Sequence, residues 1–95
     1  MAVYVVVQLS IHDPERYQRY VDRFLPTIAE HGGKVLAADD DPEVLEGTWD
    51  HDRVVLLRFS DRAAFAGWAG SPEYKEIAVD RIAATDGPIL LVQGF

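Results

Sequence analysis

The residues that could do chemistry are few and scattered. There is no cysteine, so thiol nucleophiles, zinc–thiolate sites and disulfides are excluded. The histidines His12, His31 and His51 never fall at the i, i+4 spacing that sets two imidazoles on one helical turn for a metal. His12 precedes a helix start, His31 falls at a helix end and His51 sits in a turn, so structural or surface roles suit them better. Asp39-Asp40-Asp41 has the charge of a calcium loop but lacks the central Gly and the terminal bidentate Glu. It reads as a solvated acidic loop, and no metal is expected. No Gly-rich phosphate motif and no Ser-His-Asp signature is present. No cofactor is expected either.

The aromatic residues carry more. Tyr17, Tyr20, Phe24, Phe65, Trp68 and Tyr74 fall on predicted helix faces. Core packing is the simple account. The functional account is a cavity between helices and sheet, lined by rings and a few hydroxyls, as small-molecule sites often are. Trp68 and Phe24 would then contact a ligand, and Tyr20 and Tyr74 would orient it or donate a proton. His31 and Arg81 complete the set of catalytic candidates. Arg81 lies within an apolar helical stripe and Glu46 within a predicted strand. A direct ion pair between them is the simplest way to satisfy both charges.

The elements that must position these groups can be read in order. Val3 to Leu9 is a strand with apolar residues on both faces. Asp13-Pro14-Glu15 starts a helix with an N-cap, a proline at its first position and an acid in its first turn. Its stripe runs through Tyr17, Tyr20, Val21, Phe24, Leu25 and Ile28. Pro26 interrupts the backbone ladder but not the stripe, which predicts one kinked helix. Gly32 stops it. Lys34 to Ala38 reads as a short strand, broken by Asp39 to Pro42. Val44 to Phe59 reads as strand, tight turn and strand, and Arg53 to Phe59 is the strongest strand in the chain. Ser60 or Asp61 caps a second helix ending near Gly70, and Ser71-Pro72-Glu73 starts a third. Gly87-Pro88 turns the chain into a last strand, Ile89 to Val92.

This order predicts one α+β domain over residues 1–95: a ferredoxin-like βαββαβ fold, with a four-stranded antiparallel sheet and helices on one face. Gln8 and Arg58 are expected near one another, on central strands read as parallel. The face without helices would carry Tyr4, Val6, Val54, Leu56 and either Leu90 with Val92 or Ile89 with Leu91. Such a patch calls for cover. A second copy, sheet to sheet about a two-fold axis, supplies it most simply. The formal net charge of −7 makes nucleic acid and anionic membranes poor partners. No stretch reaches membrane-spanning length and no signal-peptide pattern opens the chain, so a soluble, cytoplasmic protein is expected.

Gly32-Gly33-Lys34, Glu46-Gly47-Thr48-Trp49, Arg53 to Phe59, Ser71-Pro72-Glu73-Tyr74 and Arg81 follow one another in an order and spacing that resembles the domain-of-unknown-function 1330 family, within the dimeric α+β barrel superfamily. The resemblance spans nearly the whole chain. It implies a ferredoxin-like protomer whose sheet pairs with a partner's to form a barrel. Similar superfamily members include cofactor-independent monooxygenases, haem-degrading enzymes, isomerases and ligand-sensing domains. The family has no agreed reaction, so the resemblance transfers no catalytic residue, and the histidines do not match the haem-degrading branch. Two functional classes therefore stand. One is a small dimer that binds an organic molecule between helices and sheet. The other is a cofactor-independent enzyme, monooxygenase- or isomerase-like, acting on a small aromatic or carbonyl compound.

Overall fold

The computed structural model describes residues 1–95. Its elements are β1 (Val3–Ile11), α1 (Pro14–Ala29), β2 (Lys34–Asp39), β3 (Arg53–Phe59), α2 (Arg62–Ala69), α3 (Pro72–Ala84), β4 (Thr85–Asp86) and β5 (Ile89–Gln93). The helix starts are those the sequence marks. The side chains of Asp13, Asp61 and Ser71 accept from the backbone N–H groups of Arg16, Ala64 and Tyr74, which satisfies donors a first turn leaves free. A single helix runs through Pro26.

The sheet is antiparallel. β1 lies at its centre, with β3 then β2 on one side and β4 and β5 together along the other. This is the ferredoxin-like arrangement, with its last strand broken in two. Gly87 makes the break. Its φ is +133°, and a Cβ there would collide with the carbonyl of Gln8. Only glycine allows both that backbone conformation and that close approach.

Two expectations are corrected. Val44 to Trp49 is not a strand. β3 has two edges; β1 holds one and β2, from Lys34 to Asp39, already holds the other. The stretch from Pro42 to Thr48, with Gly47 at φ +83°, is left as a mostly exposed loop. The loop returns to the sheet at Trp49, whose indole N–H donates to Gln8 Oε1 at 3.0 Å. The second correction concerns β1 and β3, which run antiparallel: Gln8 faces Val54 while Arg58 faces Tyr4. Gln8 and Arg58 therefore lie at opposite ends of the ladder, and the alternation of an antiparallel pair keeps both on the helix-free face.

Alternation along the strands divides the residues cleanly. Val3, Val5, Val7 and Leu9 are buried with Leu57 and Phe59 beneath the helices. Each fully buried side chain of this size contributes ~1.5–3 kcal/mol relative to exposure. From above come Tyr17, Tyr20, Ile28, Trp68, Tyr74, Ile77 and Ala78. The other face carries Tyr4, Val6, Val54 and Leu56. The register adds Leu90 and Val92 to it, opposite Val6 and Tyr4, and these two are 49% and 43% exposed.

Candidate functional site

The helices do not lie flat on the sheet. Between them is a cavity of about 350 Å³, open on one side. Its floor is Val5, Val7, Leu9, Val55 and Leu57, and its roof is Tyr17, Tyr20, Phe24, Trp68, Tyr74 and Arg81. Leu25, Val35 and Ile89 line its rim and are exposed. That is why Leu25 belongs to the apolar stripe of α1 without being buried.

The rings are held by one another. Trp68 and Tyr74 have centroids 4.0 Å apart, Phe24 meets Trp68 edge-on at 5.9 Å, and Tyr17 stacks on Tyr20 at 5.7 Å. The Trp68 indole N–H donates to Thr27 Oγ1, and that hydroxyl donates to the Phe24 carbonyl. Trp68 therefore offers the cavity only apolar surface.

The polar groups form a short relay. Arg81 Nε donates to Tyr74 Oη at 3.3 Å, and Tyr74 Oη lies 3.0 Å from Tyr20 Oη. Burial pushes the Tyr20 phenol far above its ordinary range, and the neighbouring Tyr74 adds to the effect. Tyr20 stays protonated and acts as a hydrogen-bonding phenol, never as a phenolate base. Arg53, at the start of β3, also lines the cavity. Its guanidinium sits 5.6 Å from the Tyr17 ring centre and is paired with Asp40 through Nε at 2.6 Å. The Asp40 hydrogen bond raises the Arg53 pKa, and Arg53 in turn holds the Asp40 carboxyl below its usual value.

Tyr20, Tyr74, Arg81, Trp68 and Phe24 thus come together around one cavity. His31 does not. It lies past the end of α1, where its ring and the carboxylates of Glu30 and Glu73 have ligand atoms within 4.8 Å of one another. This surface group is the one place with metal-ligating types at that spacing, and it lies outside the cavity lining. The Glu46–Arg81 pair does not form. Glu46 is exposed on the loop after β2, while Arg81 lines the cavity and bonds Tyr74. Sequence reasoning passed over Arg53, although its parity with Val55 and Leu57 puts it on the core face of β3. It also missed the contact of Ser10 Oγ with His51 Nδ1 at 3.0 Å, which no sequence spacing announces.

The profile of a domain of unknown function, DUF1330, matches residues 2–95. The chain belongs to the DUF1330 family. No curated protein matches it. Among solved structures, this DUF1330 chain is similar to the RPA0582 protein of unknown function from Rhodopseudomonas palustris, with a TM-score of 0.85 and 21% identity, covering 99% of this chain and 82% of that one. It is also similar to SnoaB, a cofactor-independent oxygenase from Streptomyces nogalater, with a TM-score of 0.68 and 18% identity over 99% and 93% of the two chains. A dimeric ferredoxin-like protein of unknown function from Thermobifida fusca gives a TM-score of 0.66 and 14% identity over 97% and 88%. At these identities the likeness establishes the ferredoxin-like fold of the DUF1330 chain and stops there. No helix is long and apolar enough to cross a membrane.

Proposed function

We propose that this chain, as one domain, binds a small organic molecule in the cavity between its helices and sheet, and that it does so as a homodimer. One observation carries the reading: a cavity of about 350 Å³ is walled by aliphatic and aromatic groups, with a few polar groups converging at Tyr20, Tyr74 and Arg81. Small-molecule sites have this character. A filled core would have left no such space, since interiors pack to high density.

The homodimer rests on the helix-free face. Tyr4, Val6, Val54, Leu56, Leu90 and Val92 form an apolar surface there, and a second copy docking sheet to sheet would cover it. The Thermobifida fusca neighbour is a dimeric ferredoxin-like protein, which agrees with this. We place the dimer in the cytoplasm. The enzymatic alternative draws on SnoaB, a cofactor-independent oxygenase of similar fold, and would use the same cavity.

A neutral naphthyl alcohol, 2-naphthalenemethanol, tests the cavity. Calorimetric titration should show one molecule bound per chain, and saturating probe should raise the melting temperature by mass action. Ala69→Trp, which fills the cavity wall, should abolish both effects. Binding unchanged in that variant would place the ligand elsewhere and refute the reading.

A further inference from the structure

The cavity holds an imbalance of charge. The chain is acidic, with a formal net charge of −7, yet no carboxylate lines the cavity and its two charged residues are Arg53 and Arg81. Their situations differ. Arg53 is neutralised by Asp40. Arg81 has no ion-pair partner at all. Its Nε donates to Tyr74, and its remaining N–H groups, on the terminal nitrogens, have no protein acceptor.

A guanidinium beside aromatic rings and aliphatic floor residues, without a counter-charge, favours an anion strongly. The terminal nitrogens present a planar pair of donors that matches the two oxygens of a carboxylate. The Tyr74 and Tyr20 hydroxyls stand next in line and tie the position of Arg81 to the ring cluster. Trp68 offers the ligand only apolar surface, because its N–H is already used on Thr27.

Size limits the ligand further. An apolar cavity of about 150 Å³ takes benzene. The space here, about 350 Å³, suits one or two fused rings with a substituent. We infer that the cavity selects a planar aromatic carboxylate of one or two rings, its carboxylate paired with Arg81 and its rings packed among Phe24, Trp68 and Tyr74. This rests on the cavity reading above and adds the charge and shape of the ligand.

The test compares 2-naphthoate with its neutral isostere 2-naphthamide by isothermal titration calorimetry, in wild-type protein and in Arg81→Met. Wild-type protein should bind naphthoate at least about tenfold tighter than the amide, as expected when a charged hydrogen-bonding pair is gained. In Arg81→Met the two affinities should converge to within about threefold. Equal affinities in wild-type protein would overturn the carboxylate assignment and leave the cavity reading standing. A naphthoate preference that survives Arg81→Met would overturn the role of Arg81. Failure of both naphthyl compounds to bind would overturn the inference and the cavity reading together. The wild-type comparison needs no variant, so it decides the charge preference even if Arg81→Met does not fold.

Discussion

At the scale of single residues, the Tyr20–Tyr74–Arg81 relay is asymmetric. Tyr74 is its middle member: it accepts from Arg81 and bonds Tyr20. Both phenols are buried. Tyr20→Phe removes one hydrogen bond at the end of the chain, and Tyr74 still has Arg81. That loss should cost ~0.5–1.5 kcal/mol. Tyr74→Phe leaves both the Tyr20 hydroxyl and the Arg81 Nε–H without their partner. An unsatisfied buried donor costs ~1–3 kcal/mol, so Tyr74→Phe should be the more destabilising by urea unfolding. Equal losses in the two variants would show that the relay is not a unit. The legibility of this site in the sequence was uneven. The helical period placed Tyr20, Phe24, Trp68, Tyr74 and Arg81 on buried stripes, which is a local property. It could not tell whether Arg81 would meet Glu46, because that depends on where a distant loop goes.

At the scale of elements, the edge of the sheet formed by β4 and β5 hangs on one residue. Gly87 separates two short segments that pair with different stretches of β1. Its φ of +133° and the nearness of the Gln8 carbonyl leave no room for a side chain. Gly87→Ala should therefore destabilise by at least ~2 kcal/mol, combining backbone strain with a steric clash that cannot be relieved by a rotamer change. Chemical denaturation would measure it. A loss below a few tenths of a kcal/mol would mean that the turn relaxes freely. β2 is different. It is an exposed edge strand with a register shift between Val35 and Ala37, and a bulge of this kind twists an edge away from further pairing. The expected strand at Val44 failed at this scale. Its residue types suited a strand, but a hairpin with β3 requires a free edge of β3, and β1 and β2 hold both.

At the scale of the whole molecule, the two faces of the sheet have opposite fates. One is roofed by helices that stand off far enough to leave a cavity. The other carries half-buried Leu56 at its centre, between Val6 and Ala37 in the register. Leu56→Asp places a charge where a partner copy would pack, and an unpaired buried charge is costly. Sedimentation velocity should show wild-type protein as a dimer at micromolar concentration and Leu56→Asp as a monomer. A wild-type monomer, or an undisturbed dimer in the variant, would rule out this face as the interface.

The sequence by itself determined the local features: three helix starts, the β1 and β3 strands, the two-sided apolarity of those strands and the aromatic stripes. All depend on neighbours within a few residues, through capping, periodicity and backbone freedom. Only the tertiary structure decided which strands hold the two edges of β3, that Gln8 and Arg58 lie at opposite ends of the β1–β3 ladder, and that His31 falls outside the cavity. It also decided that the helices stand clear of the sheet, leaving Arg81 facing that space without a counter-charge. These are outcomes of long-range packing, where the position of each group is set by elements far away in the chain.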